Sequence, residues 1–300
     1  MTQVTAARRL PDVATPGIAD ARLLPDPDFA ESWAAIVLPE GMKGEMARSV
    51  IASTRLRGAV PFDELPLHGV VLLSGPPGVG KTTVARGLAD KVARMLTGVP
   101  WAFVEVDPHG LASSALGRSQ RAVEQLMGTQ LDELAHAGPL VVLIDEVETL
   151  FTNRSALSME TNPIDVHRAV DAGLVGLDRL ARRHANVLII ATTNFADAID
   201  PALYSRADRV FEVPLPDTGA RREILERTIA AVAAAFPGAA TLLDPKVLDA
   251  AAEAAAGLDG RQLRKAVAAA CSVRAGAQGD PDRVTPEDLL TVLKTRGERA

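Results

Sequence analysis

The chain is poor in cysteine: Cys271 is the only one among 300 residues. A single thiol excludes an internal disulfide framework and fits a reducing compartment. Long apolar runs are also missing. No stretch reaches the roughly 18 residues that a membrane-spanning helix needs. The opening "MTQVTAARRLPDVATPG" lacks the apolar core of a secretory signal. A soluble, cytoplasmic protein with no membrane partner is expected. Positive charge is not in excess either. Lys+Arg number 32 against 38 Asp+Glu, a formal charge of −6, and no basic run stands out, so charge suggests no nucleic-acid partner. His68, His109, His136, His167 and His184 show no metal-ligand spacing. No serine–histidine–acid arrangement is inferable.

What is present is long enough for one large or two modest domains. Residues 1–28 carry Pro11, Pro16, Pro25 and Pro27 with no sustained period, which predicts a flexible arm. Globular patterning starts near Phe29 and Trp33. From there to residue 216, short apolar runs alternate with amphipathic segments: "GVVLLSG", "WAFVEVD", "PLVVLIDE", "NVLIIATTN" and "RVFEVPLP". Strand-length apolar runs separated by helices predict an α/β fold, a parallel sheet with helices on both faces. Trp33 and Trp101 beside such runs read as core. Residues 217–300 read as helices alone, a small all-helical domain. There Asp217 or Thr218 caps one helix. Leu263, Ala266, Val267, Ala270 and Cys271 form the apolar stripe of another, with Cys271 as a small buried hydrophobe. "TPEDLLTVL" begins with Thr285 as cap, Pro286 first and Asp288 third.

"GPPGVGKT" follows one apolar strand and opens a helix, the context that G-x-x-x-x-G-K-[ST] requires. Gly75, Pro76, Pro77, Gly78, Val79 and Gly80 would wrap the phosphates of ATP, with Lys81, Thr82 and Thr83 at the helix start. Lys81 would reach the β- and γ-phosphates, and the Thr82 hydroxyl would ligate Mg²⁺. "LVVLIDE" places Asp145 and Glu146 at the carboxyl end of a buried strand, the edge where ligands bind in open α/β sheets. Asp145 would hold Mg²⁺, directly or through water, and Glu146 would polarise the attacking water. Asn194, ending "IIATTN", would orient water or contact the γ-phosphate. Arg206 and Arg209 stand in "LYSRADRVFEVPLPD", where a salt bridge from Arg206 to Asp208 or another acid competes with a role in phosphate chemistry.

The order of phosphate loop, "DE" strand, "TTN" strand, arginine segment and helical domain resembles an AAA+ ATPase from about Phe29 onward. "LIDEVETLFTNRS", "IDPALYSRADRV" and "GLDGRQLRK" look like the pachytene-checkpoint family, which remodels HORMA-domain proteins. The resemblance implies a homohexameric ring that pulls a partner polypeptide through a central pore. It implies Arg206 as a finger on the neighbour's γ-phosphate with Arg209 in support, and Arg261, in preference to Arg264, as a cis phosphate sensor. It also implies an adenine pocket around Ile36 and Val37, and a first pore loop at Ala115 and Leu116, where the family normally carries a bulky aromatic pair. A second pore segment would cover residues 153–163. Bacterial short forms are associated with HORMA proteins and cyclic-nucleotide synthases in anti-phage signalling, which implies a role in switching such a system off. An AAA+ motor on another protein or DNA partner, or a nucleotide-gated binding switch, are the alternatives.

Overall fold

The computed structural model describes residues 10–12, 15–96, 98–111, 118–154, 163–273 and 280–298. Strands β1 (Ile18–Leu24), β2 (Val70–Ser74), β3 (Trp101–Val106), β4 (Leu140–Ile144), β5 (Val187–Thr193) and β6 (Ala207–Glu212) form one sheet, ordered β1-β3-β4-β5-β2-β6. All neighbours are parallel except β1, which runs antiparallel to β3. Every residue of β2, β3, β4 and β5 is buried. Helices cover both faces, so these strands read as continuous apolar runs and not as alternating ones. The edge strands β1 and β6 are only partly buried. Strand β1 lies inside the segment expected to be a flexible arm. Its polar residues Asp20 and Arg22 pair with each other at 2.6 Å and obscure the strand pattern.

The helices of this part are α1 (Pro27–Ala35), α2 (Met42–Ala59), α3 (Lys81–Met95), α4 (Pro108–Leu111), α5 (Arg118–Gln125), α6 (Leu131–His136), α7 (Pro163–Arg183) and α8 (Pro201–Tyr204). A π-helical turn, Leu126–Gln130, joins α5 to α6. The core between sheet and helices gathers Val104, Leu126, Val142, Phe151, Val170 and Ile189 among others. Trp101 is buried, whereas Trp33 is only partly so, lying against Gly87 of α3, where an added Cβ would come 2.7 Å from the Trp33 Cβ.

The chain's contacts divide it into two compact units. The first comprises residues 1–35, 44–74 and 81–212. The second comprises 36–43, 75–80 and 213–300, so it takes the phosphate-loop residues and a piece of the α1–α2 region along with the helical end. Its helices are α9 (Thr218–Ala235), α10 (Pro245–Ala254), α11 (Gly260–Ala270) and α12 (Pro286–Gly297). Each start is chemically marked. Asp217, not Thr218, caps α9 by accepting the Ala220 N–H at 2.8 Å. Capping boxes open α11 (Asp259 with Gln262) and α12 (Thr285 with Asp288, Pro286 between). Leu225, Ile229, Leu248, Leu263, Val267 and Leu289 fill the core of this unit. Leu263, Ala266, Val267 and Ala270 are buried. Cys271 ends the helix half-buried, its thiol 3.4 Å from the Val267 carbonyl. Among the described residues no helix is long and apolar enough to cross a membrane.

One buried cation fastens the connection into β2. Arg57 on α2 is 7% exposed. Its Nε donates to the Leu67 carbonyl at 3.1 Å and its Nη2 to that of His184 at 3.0 Å, while Nη1 donates to the Val187 carbonyl. Burial pushes its pKa down, and nearby Asp208 opposes that. Asp208 itself accepts the N–H groups of His68 and Gly69 at 2.8 and 2.7 Å. Replacing Arg57 with Met keeps the aliphatic stem but leaves three carbonyls without their donor. Arg57→Met is expected to lose about 2–4 kcal/mol of stability by urea denaturation; a loss within the spread of ordinary surface substitutions contradicts this account.

Candidate functional site

The site in the first unit begins at the carboxyl ends of β4 and β5. Ile144, the last residue of β4, pairs with Ala191 across the ladder, so Asp145 leaves the sheet beside Thr192, which β5 still holds in register with Leu73 of β2. Thr192, 2% exposed, donates its hydroxyl to Asp145 Oδ1 and accepts the Glu146 N–H at 3.2 Å. From α3, the Thr82 hydroxyl lies 2.9 and 3.1 Å from the two Asp145 oxygens. Asp145 is thus held between two hydroxyls on different elements.

Glu146 follows in a left-handed conformation, φ 51° and ψ 54°, the one non-glycine with positive φ among the described residues. That turn takes the chain from strand into a 3₁₀ turn, Val147–Thr149, at a cost of about 1–2 kcal/mol. It leaves the Glu146 carboxylate 52% exposed. Asn194 links this acid to the helix start. Its Oδ1 accepts from Lys81 Nζ at 2.8 Å, and its Nδ2 donates to Glu146 Oε1 at 3.4 Å. Its backbone N–H is fixed by Glu148 Oε1 at 3.1 Å. Lys81 is 6% exposed, so its charge is met by a polar partner at the point where it is desolvated. His109 Nε2 lies 3.6 Å from Glu146 Oε2.

Gly75–Gly80 runs from the end of β2 to the Gly80–Lys81 peptide that opens α3. Gly75, Gly78 and Gly80 have φ of 146°, 82° and 94°. Gly78 is required twice over: its φ is left-handed, and an added Cβ would come 2.3 Å from the Asp259 Cγ. A Cβ on Gly80 would come 2.6 Å from Ile36 Cδ1, and Val37 packs on the helical core of the second unit. Asp259 is the cap of α11, which carries Arg261 and Arg264, both exposed. Arg264 Nη1 donates to the Gly260 carbonyl of its own helix at 3.1 Å.

Arg206 follows α8. Its partner is Asp178 on α7, not Asp208: Nε and Nη2 donate to the two Asp178 oxygens at 2.7 and 2.8 Å, and Nη1 to the Ala202 carbonyl at 2.8 Å. The fork–fork hydrogen bond from Arg206 holds the Asp178 carboxyl below the usual carboxylate range, against the effect of burial. Stability from this pair is therefore present above the ordinary carboxylate pKa and lost as pH falls through the depressed value. Arg209 lies exposed on β6. Ala115 and Leu116 lie outside the described residues, as do residues 155–162 of the second expected pore segment.

The structure therefore brings Lys81, Thr82, Asp145, Glu146 and Asn194 into one hydrogen-bonded cluster. Besides Glu148, which accepts the Asn194 N–H, sequence reasoning missed three residues in or near the site. Thr192 is signalled only as the first of two threonines that close an otherwise apolar strand. Asp178 sits 28 positions from its arginine, and His109 follows β3 with no motif around it. The donor set fits a hard divalent cation. A hydroxyl and a carboxylate stand together, and Mg²⁺ takes one or two protein oxygens and completes its shell with phosphate and water. Among the described residues no three His, Cys, Asp or Glu gather to hold a metal by themselves.

A strand–glycine loop–lysine helix beside an acid-tipped strand, followed by a helical unit, defines an AAA ATPase. Residues 71–215 match the ATPase family associated with various cellular activities (AAA). Within that family the chain belongs with the pachytene-checkpoint group and its bacterial relatives. It is 44% identical over 278 residues to CD-NTase-associated protein 6 of Pseudomonas aeruginosa, covering 93% of this chain and 91% of that protein. It is 35% identical over 217 residues to the putative pachytene checkpoint protein 2 of Caenorhabditis elegans, covering 69% of this chain. It spans about half the length of that relative, 49%. A chain of the E. coli HORMA:CdnC:Trip13 complex has the same fold, with a TM-score of 0.72 at 19% identity, covering 93% of this chain and 95% of that one.

Thr192 ties both acids to β5, which makes it testable apart from them. Thr192→Val, which keeps the shape and removes the hydroxyl, is expected to slow phosphate release about tenfold or more while nucleotide affinity changes little. Thr192→Ser should restore most of the rate. Unchanged turnover in Thr192→Val would remove the hydroxyl from the site's machinery.

Proposed function

We propose that the protein is an ATP- and Mg²⁺-dependent remodeller that works as a ring of six copies on a HORMA-domain protein, and so regulates an anti-phage system built on a cyclic-nucleotide synthase. The observation that carries the chemistry is the chain of contacts from Lys81 through Asn194 to Glu146, beside Asp145 clamped by Thr82 and Thr192. The partner reading is supported by the likeness to CD-NTase-associated protein 6 and by the make-up of the HORMA:CdnC:Trip13 complex.

In this reading the N–H groups of Gly75–Gly80 cradle the phosphates and the Lys81 ammonium binds the β- and γ-oxygens. Thr82 and Asp145 would hold Mg²⁺, which would supply positive charge to offset that of the phosphates. Glu146 accepts a proton from water as the water oxygen bonds to the γ-phosphorus and the bond to the departing ADP breaks. Asn194 holds that carboxylate and the lysine at a fixed separation. Arg206 stabilises the transferring phosphoryl group in the neighbouring copy. A guanidinium is permanently charged and forked to suit phosphate oxygens, and such a finger is worth ~10³–10⁵ in rate. Asp178 presents it, and Arg209 supports the strand. Arg261 senses the phosphate within its own chain, and Ile36 and Val37 receive the adenine. Ala115 and Leu116 grip the partner chain by apolar contact.

Glu146→Gln should bind ATP and lose hydrolysis. Arg206→Ala should lose turnover in the assembled protein, and mixing the two variants should restore activity through composite sites. Glu146→Gln held in ATP should retain a HORMA-domain protein from cells that express one beside the synthase. Capture of none would overturn the partner, and absence of phosphate release by the wild type at saturating ATP would make the protein a nucleotide-gated switch.

A further inference from the structure

Two of the three aspartates of helix α7, Asp171 and Asp178, lie seven residues apart, two turns along one face. Each holds one arginine. Asp178 holds Arg206, and Asp171 Oδ1 accepts from Arg154 Nη1 at 2.6 Å. Arg154 does a second thing: its Nε donates at 2.6 Å, and its Nη2 at 3.4 Å, to the carboxylate of Asp200. That carboxylate is 4% exposed and caps α8 by accepting the Ala202 N–H at 2.9 Å. Burial pushes the Asp200 carboxyl up, but hydrogen bonds from Arg154 and from the Ala202 N–H bring it below the usual range. Arg206 is the second residue past the end of α8, and its N–H bonds to the Leu203 carbonyl at 3.0 Å.

The backbone around Arg154 is stitched to the same segment. Thr152 bridges Ile199, the Asn153 N–H donates to the Ala198 carbonyl at 2.7 Å, and the Asp200 N–H donates to the Phe151 carbonyl at 2.8 Å. The strip 151–154 starts two residues after the 3₁₀ turn that follows Glu146. One guanidinium therefore joins the chain leaving the acid pair, the cap of α8 and the middle of α7. These are the elements that present Arg206.

We propose that Arg154 is a positioning residue for Arg206: by bridging Asp171 and Asp200 it fixes α8 against α7 and so sets where the Arg206 guanidinium is presented. This rests on the reading of Arg206 as a finger acting on a neighbouring copy. It requires a fork, because two carboxylates on different elements are engaged from different edges of one planar group. Lysine has a single ammonium and cannot span them in the same way.

Turnover of the assembled full-length protein decides the matter. Arg154→Ala is expected to lower kcat about tenfold or more, with the KM for ATP and binding of a fluorescent ATP analogue changed less than about threefold. Combined with Arg206→Ala, it should add nothing to the loss caused by Arg206→Ala alone, since both changes remove the same contribution. Mixing Arg154→Ala with Glu146→Gln subunits should restore turnover, because the second supplies a well-placed Arg206 and the first an intact Glu146. Arg154→Lys should stay below half the wild-type rate. If Arg154→Ala does not fold, Asp171→Ala decides: that carboxylate is 60% exposed, and its loss should lower kcat with unchanged analogue binding. Turnover within twofold of wild type, additive losses, or no recovery on mixing overturns the proposal while leaving the Arg206 reading intact. Full turnover in Arg206→Ala removes the finger, and with it this inference.

Discussion

Parallel registration of β2, β4 and β5 fixes the level at which the functional residues leave the sheet. Ser74 pairs with Thr193, Leu73 with Thr192 and Ile144 with Ala191. Strands β2 and β5 therefore end level with each other, β4 ends two residues before β5, and the loops that follow the three carry Gly75, Asp145 and Asn194. In the sheet order β2 stands between β5 and β6 although β3 follows it in the chain, so its carboxyl end is a topological switch point, where open α/β sheets bind ligands. Shifting one strand by a residue would turn Thr192 from Asp145 toward the opposite face. Burial on both faces makes that slip costly, and the precision of the polar cluster is inherited from the apolar core.

Arginine does much of the remaining organisation. Arg57 and Arg221 are buried and spend their donors largely on backbone carbonyls. Arg221 reaches those of Ala252 and Pro216 at 2.8 and 2.9 Å, as well as the Thr218 hydroxyl. Arg154 and Arg206 are partly buried and each meets a carboxylate of α7. A planar group with five fixed N–H bonds can brace several chain segments at once. Such bracing suits connections that are irregular and cannot be closed by a ladder or a helix.

The features legible in the sequence are those written in a few adjacent residues. The glycine loop, the acid pair after five branched or leucine residues, and the helix starts at Asp217 or Thr218 and at Thr285 each combine a turn or cap residue with a periodic run. What escaped depends on distant neighbours. Thr192 has its role because β4 lies beside β5, and nothing in "IIATTN" states that register. Asp178 meets Arg206 only because α8 returns to α7; local reasoning offered Asp208 or another surface acid, and Asp208 instead serves two backbone N–H groups. Strand β1 is an edge strand with charged residues among prolines, so its pattern fell below that of the buried strands. Trp33 and Cys271 were read as core from apolar neighbours, yet each sits at the end of a helix, where one side remains open. Gly75–Gly80 and Ile36–Lys43 group with the helical unit because contacts, not chain order, decide membership.

Glu146 carries a consequence beyond its place in the cluster. A side chain at φ 51° is tolerated by glycine at no steric cost, so the sheet edge would be more stable with glycine there and chemically empty. The chain keeps a strained backbone at the point where the Glu146 carboxylate faces outward beside Asp145. On the role proposed for Glu146, stability and activity oppose each other at this residue, and a search for stabilising substitutions would reach it early at the expense of turnover.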